Sequence, residues 1–423
     1  MIYAVILFAI TYILMLALPK YRTYVALASA LCFIVSGMLP LENILESIDF
    51  NVLLMIAGTM GIVSMFIESR MPARLADAII AHVPNVCWAT IALSLFAGII
   101  SAFVDNVATV LMVAPVALAI AKRIGVKPVN MIIAIAVSSN LQGAATLVGD
   151  TTSILLGGYA GMNFLDFFAY KGRPSIFFAV ELGAVVSALI LYVLFRKENA
   201  KLPKAEKTVV TDYVPSVLLL LMIVLLICAS FIPDTPDISN GVICVTLMVI
   251  GGIYECVRKK SLDGIIKPIK EIDFTTIGLL FGLFLVIGGI TEQGVIDALA
   301  GIFTKLAGDD LFAIYSLILW ASVLFSAFID NIPYVATMLP VVQSIALGMG
   351  VDPTVLYFGL LSGATLGGNM TPIGASANIA GIGILRKEGF EVKNSDFFRI
   401  GIPFTLAAVI PAYIYIWLMY GNL

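Results

Sequence analysis

Apolar runs of membrane-spanning length alternate with short polar stretches along almost the whole chain. A helix needs about 20 apolar residues to traverse the hydrocarbon core. Runs of that grade occupy 2–18, 22–39, 50–67, 130–157, 174–195, 213–232, 240–256, 274–290, 354–384 and 397–420. Two further segments, 87–121 and 311–347, are each long enough for two short helices and carry an Asp-Asn pair at the midpoint. The pattern predicts an all-α polytopic membrane protein with about ten spans and two hairpins.

Polar residues inside this apolar sequence are repeated. Ser101-Ala-Phe-Val-Asp105-Asn106-Val recurs as Ser326-Ala-Phe-Ile-Asp330-Asn331-Ile, a shift of 225. The same shift carries Gly143, Thr146 and Gly149 onto Gly368, Thr371 and Gly374, and Asp150 onto Ala375. Upstream, Ile48-Asp49-Phe50 resembles Ile272-Asp273-Phe274, and Glu68 matches Glu292. The duplication divides the chain into repeat 1 (21–195, with hairpin 87–121 and broken helix 130–157) and repeat 2 (213–423, with hairpin 311–347 and broken helix 354–384). A charged linker, 196–212, joins them, and the helix within 1–20 stands outside the repeat. That first helix lacks a basic leader and a small-residue cleavage site, so it reads as retained.

Alternating the spans places every Lys and Arg except Lys171, Arg173 and Lys305 on one face. The positive-inside rule makes that face cytoplasmic and puts both termini outside, consistent with a prokaryotic inner membrane. Segment 87–121 then begins and ends on the cytoplasmic face, and 311–347 on the outer one. The two repeats are therefore expected to be inverted, as in many secondary transporters. Length favours re-entrant hairpins over full crossings, with both Asp-Asn tips near the midplane.

Ionisable side chains at this depth cost at least ~2.5–3.5 kcal/mol each and mark ion or substrate pathways. Asp105 and Asp330, with neighbouring amides and carbonyls, form a candidate sodium site together with Asn106 and Asn331. Alternatively, desolvation brings the protonated carboxyl within reach of neutral pH and makes each Asp a proton carrier. Asp150, whose repeat mate is Ala375, makes the coupling site asymmetric. Asn106, Asn331, Asn369 and Asn378 both donate and accept, suiting ion or solute contact. Gly143, Gly149, Gly367, Gly368, Gly374 and Pro372 interrupt two polar strings, and broken helices at membrane depth line protected cavities. Neither motif has a Lys or Arg beside it in sequence, so a bound anion would rely on amides, hydroxyls, helix ends or a co-bound cation.

Composition removes other classes. The chain is 61% hydrophobic and 12% charged, about half the charge of a soluble domain. No basic tract interleaves with aromatics, so nucleic acid is not a partner. The single histidine, His82, and five scattered cysteines without a C-x-x-C leave nothing for a zinc site or a His-based triad. An enzyme is not expected, nor a cofactor beyond Na⁺ or H⁺ as coupling ion.

The tips, Gly143-Ala-Ala-Thr146-Leu-Val-Gly149-Asp150 and Gly367-Gly-Asn369-Met-Thr371-Pro-Ile-Gly374-Ala-Ser376-Ala-Asn378 together resemble the ion transporter superfamily: arsenite permeases, the melanosomal P-protein and divalent anion–sodium symporters. The resemblance implies a homodimer in membrane lipid, with a scaffold and an elevator-type transport domain built from hairpins and broken helices. It further implies that Asp105, Asp330, Asp150, Thr151, Gly149 and Gly374 hold the coupling ion. Asn106, Asn331, Thr146, Thr371, Asn369, Ser376 and Asn378 would contact substrate. Where the dicarboxylate branch carries Ser-Asn-Thr tips, this chain has Asp-Asn-Val and Asp-Asn-Ile, which argues against a citrate or succinate carrier. Gly149-Asp-Thr-Thr-Ser153 replaces the Gly-Asp-Pro-Pro-Asn often found in the arsenite branch.

The reading is a secondary active transporter of a small anion or oxyacid, coupled to Na⁺ or H⁺ by symport or antiport. Its rivals are a sodium–proton antiporter and, in another class, an ion channel.

Overall fold

The computed structural model describes residues 1–202, 207–233, 235–308 and 310–422. The first half contains α1 (Ile2–Ala17), α2 (Arg22–Val35), α3 (Phe50–Glu68), α4 (Met71–Ile80), α5 (Val86–Ser101), α6 (Asn106–Ile124), α7 (Val129–Gly143), α8 (Thr151–Ala160) and α9 (Ile176–Phe195). A two-residue-per-strand hairpin, β1 (Ala169–Tyr170) and β2 (Arg173–Pro174), precedes α9. Its turn holds Lys171 and Gly172 at positive φ, as a two-residue hairpin loop requires. The second half contains α10 (Val214–Ser230), α11 (Ser239–Lys259), α12 (Asp263–Glu271), α13 (Phe274–Glu292), α14 (Val295–Ala307), α15 (Leu311–Ser326), α16 (Asn331–Met349), α17 (Thr354–Gly367), α18 (Ser376–Lys387) and α19 (Asn394–Tyr420).

Among the described residues, seven helices are long and apolar enough to cross a membrane: α3, α6, α9, α11, α13, α16 and α19. Five of the ten expected spans are among them (α3, α9, α11, α13 and α19), while α6 and α16, of 19 residues each, are limbs of the two expected hairpins. The other expected spans are shorter or divided, for physical reasons visible in the chain. α1 and α2 have 16 and 14 residues and meet at a 115° bend around Pro19. At 1.5 Å per residue neither covers the roughly 30 Å core when straight. α2 stops at Val35, short of the expected 39, and Gly37 follows in the left-handed region. The polar strings split 130–157 into α7 and α8, and 354–384 into α17 and α18.

The same contacts are made twice. α2 packs on α13 and α3 on α11, while α5 packs on α7 and α15 on α17. A side chain placed at Gly278 would strike Thr23, and one at Gly241 would strike Leu54. Likewise, Gly289 abuts Phe33 and Gly251 abuts Met65. Each pair maps onto its partner when α3 is shifted by 224 onto α13 and α2 by 218 onto α11. Small residues here let helix backbones approach closely. α1, expected to lie outside the repeat, packs on α2 as α10 packs on α11.

Loop contacts sort the ends of the molecule into two faces. On one, Glu68 bonds Lys259 and Lys267 at 3.1 and 3.0 Å, Arg258 meets Asp212 at 2.7 Å, and Lys122 pairs with Glu388. The backbone N–H groups of Val86 and Cys87 donate to the carbonyls of Ala200 and Glu198 on the same face. On the other, Lys171 pairs with Asp352, Asn43 donates to Glu292 at 2.8 Å, and Tyr420 donates to the Tyr170 carbonyl of β1. Large apolar side chains such as Leu31, Leu189 and Leu220 stay exposed on the outer helices, as lipid contact allows.

Candidate functional site

Both Asp-Asn pairs sit where a hairpin turns. The first N–H groups of a helix lack intrahelical acceptors, and an Asp at the N-cap supplies one. Asp105 Oδ1 accepts from Val107 and Ala108, both at 3.0 Å, at the start of α6. Asp330 Oδ1 accepts from Ile332 at 3.1 Å at the start of α16. Beyond this shared role the two diverge. Arg22 Nη1 donates to Asp330 Oδ2 at 2.5 Å, and Ser376 Oγ lies 3.4 Å from the same oxygen. The second oxygen of Asp105 makes no hydrogen bond among the described residues.

Each break is pinned to the tip of its own hairpin. Thr146 Oγ1 donates to the Ala102 carbonyl, and Thr371 Oγ1 to the Ala327 carbonyl. A Cβ added at Gly149 would lie 2.6 Å from the Gly143 oxygen and 2.8 Å from those of Ser101 and Ala102. At Gly374 the same distances recur to Gly368, Ser326 and Ala327. Only glycine lets a break and a tip approach so closely. The next contact is duplicated in place but not in chemistry. Ser153 donates to the Gly143 carbonyl at 3.3 Å, and its mate Asn378 donates to those of Gly368 and Thr371 at 3.1 and 3.0 Å.

The halves meet through buried polar side chains. Asp150 caps α8, accepting from Thr151 N at 2.7 Å and Thr152 Oγ1 at 3.0 Å, and Asn331 of the opposite tip lies 3.5 Å away. Asn106 donates to Asn140 at 3.0 Å, and Asn140 donates to the Thr365 carbonyl and to Asn369 at 2.7 and 3.1 Å. Asn369 returns a bond to the Val137 carbonyl at 3.0 Å. Buried amides bonded in this way fix the register of one half against the other.

Between these elements lies a cavity of about 230 Å³. Asp105, Asn106, Asp150, Thr151, Asn331 and Ser376 line it from the tips and breaks. From the other side come Arg22 of α2, Met60, Val63, Ser64 and Ile67 of α3, Glu271 of α12, Asp273 at the cap of α13 and Thr276 within it. Ile67, Glu271 and Asp273 put its mouth at the face of the basic loops. A second space of about 920 Å³ opens at the opposite face, lined among others by Asp49, Asp237, Asn240 and Glu292.

Thr146, Thr371, Gly143, Gly149, Gly367, Gly368, Pro372, Gly374, Asn369 and Asn378 do not line the 230 Å³ cavity; they shape the breaks and the joint behind it. Two residues outside the motifs enter the site. Asn140 is visible in sequence as a polar residue in an apolar run, but its repeat mate is Thr365 and the duplication does not mark it. Arg22 corrects the expectation that no cation stands at either motif: it lies 308 positions from Asp330, and only the packing of α2 brings them together. No group of three or more His, Cys, Asp or Glu suited to a metal ion occurs among the described residues.

A family model described as citrate transporter matches residues 6–363 and 262–423. The chain belongs to the citrate transporter family. As a member, it is a membrane transporter, in keeping with its superfamily resemblance. An uncharacterized transporter of Mycobacterium tuberculosis (strain H37Rv) is 30% identical over 440 residues, covering 99% of this chain and 98% of the relative. The mouse P protein is 26% identical over 497 residues, covering 95% of this chain and 58% of that protein. The crystal structure of the YdaH transporter of Alcanivorax borkumensis superposes with a TM-score of 0.62 at 14% identity, over 92% of this chain and 88% of that one, which shows a shared fold.

Proposed function

We propose that this citrate transporter family member is a cation-coupled secondary active transporter for a small oxygen-rich anion or neutral oxyacid. The observation that carries the reading is the cavity in which both hairpin tips meet the Asp150 break. A cation entering there finds the carboxylates of Asp105 and Asp150, and charges confined in a low-dielectric site interact strongly. Once that charge is balanced, Asn106, Asn331, Thr151 and Ser376 offer donors to a solute oxygen. An anion entering first would meet Asp105, Asp150, Glu271 and Asp273, with Arg22 already paired. For an anionic solute, cation binding therefore precedes solute binding.

The cavity lies between α2, α3 and α13 on one side and the hairpins and breaks on the other, which supports a scaffold and a moving transport block. Reciprocal contacts between the halves support inverted repeats, each with its own access state. In this reading the basic loops are cytoplasmic, both termini are outside, and the protein is a homodimer in a prokaryotic inner membrane.

The excess of carboxylates favours one second reading, cation–proton exchange without a solute. Liposomes containing the full-length protein and a trapped pH dye separate the two. Na⁺, Li⁺, citrate and arsenite are added singly, then Na⁺ with each solute. The solute reading expects a response to one solute that depends on the Na⁺ or proton gradient and falls at least about tenfold in Asp105→Asn. A response to cations alone, lost in the same variant, establishes exchange. Wild-type coupling in Asp105→Asn sinks both.

A further inference from the structure

The two tips share a sequence, a capping role and a set of backbone contacts, yet only one has a cation beside it. Arg22 opens α2, on the scaffold side of the cavity, and its guanidinium reaches the Asp330 carboxylate at 2.5 Å. Both side chains are less than a quarter exposed, at 24% and 18%. The shift of 218 that relates α2 to α11 carries Arg22 onto Asn240, a neutral residue lining the space at the opposite face. Repeat 1 therefore supplies Asp330 with a counter-cation, and the matching position of repeat 2 offers none to Asp105.

We infer that Arg22 is a tethered counter-cation which occupies Asp330 while the cavity faces the basic loops, and that the coupling cation must displace it to bind there. The inference rests on the coupling role proposed above for the tips. An arginine is charged at all accessible pH values, so it competes by position and not by titration. In this state Asp105 is open to a cation and Asp330 is closed. The pair also joins α2 to the second hairpin beside the cavity, which Arg22 lines and Asp330 does not, and movement of the hairpin away from α2 separates it. Once the transport block has moved, Asp330 is available without that competition. The two tips load their cations at different points of the cycle, and an empty Asp330 is never left uncompensated beside Arg22. Asn240 offers no equivalent charge to Asp105 in the opposite state.

The test is equilibrium binding of radioactive sodium, with proton uptake measured on the same samples, to the full-length protein in lipid nanodiscs. Wild type is compared with Arg22→Gln, Arg22→Lys, and Arg22→Gln combined with Asp330→Asn. Arg22→Gln is expected to bind the cation at about tenfold lower concentration, or to gain a site, because nothing competes at Asp330. The double variant returns to the wild-type value. Arg22→Lys keeps the charge but loses the fixed guanidinium geometry, and falls between them. Unchanged cation binding in both Arg22→Gln and Arg22→Lys, with the wild type binding, overturns this inference alone. If neither cation binds to the wild type or to Arg22→Gln, the coupling role of the tips fails, and this inference with it.

Discussion

A single carboxylate at a hairpin tip performs two physical tasks, and Asp105 and Asp330 show both. One oxygen caps a helix start, a role Asn or Ser also fills, so capping alone does not require a charge. The other is bonded to a cation at Asp330 and unbonded at Asp105, which is why the charge matters more than the cap. A different residue-scale pair acts far from the site. Asp352, in the loop between α16 and α17, pairs with Lys171 of the β-turn and accepts from Thr354 N at 3.0 Å. Partial burial pushes its carboxyl up, but the bonds from Lys171 and Thr354 outweigh this and hold it below the usual carboxylate range. A depressed folded-state value stabilises above the unfolded value, and that contribution is lost as pH falls through the folded one. Lys171→Gln should therefore lower thermal stability at neutral pH by the equivalent of no more than about 1 kcal/mol, given the exposure of the pair. The difference from wild type should shrink as pH falls through and below the ordinary carboxylate range. Melting curves of both proteins in one detergent across that range check the sign; a difference that grows on acidification contradicts it.

At the scale of elements, each break is held to its hairpin tip by a glycine and a threonine. Gly149 shows how tight that joint is, since the three oxygens nearest an added Cβ all belong to backbone. Gly149→Ala should force Ala144–Asp150 away from the tip, destabilising by about 1–3 kcal/mol and abolishing coupled uptake. Gly301→Ala in α14, where nothing lies within 4 Å of the new methyl, is the control and should keep both properties. Normal uptake by Gly149→Ala would show that the close approach is not needed for transport. These joints were largely legible in sequence. Polar glycine-rich strings in apolar surroundings announce broken helices, and the turns fall at the Asp-Asn pairs because those pairs interrupt the apolar runs. The break between α1 and α2 was legible as the gap between runs 2–18 and 22–39, but its 115° angle was hidden, because hydropathy reports how apolar a run is and not how sharply Pro19 turns it. The pairings of Arg22 with Asp330 and of Asn140 with Thr365 and Asn369 were hidden for another reason: the partners lie hundreds of residues away, and only tertiary packing selects them.

For the whole molecule, the position of the Ile-Asp-Phe pair bears on how the halves are related. Asp49 begins α3 and lines the space at one face, whereas its mate Asp273 begins α13 and lines the cavity that opens at the other. Each caps its helix through its carboxylate, Asp49 with Val52 at 3.0 Å and Asp273 with Thr275 and Thr276 at 3.0 and 3.1 Å. Equivalent residues at opposite ends of the molecule support the proposed inverted arrangement over two parallel repeats. With the five native cysteines replaced, Asp49→Cys and Asp273→Cys should react with a membrane-impermeant thiol reagent from opposite sides. Right-side-out and inverted vesicles supply the two orientations. The positive-inside rule assigns Asp273→Cys to the cytoplasmic side. Labelling of both from one side would remove the inversion, and with it the symmetry that relates Arg22 to Asn240. Labelling from opposite sides, with Asp273→Cys shielded when the transport block moves, would tie this geometry to alternating access.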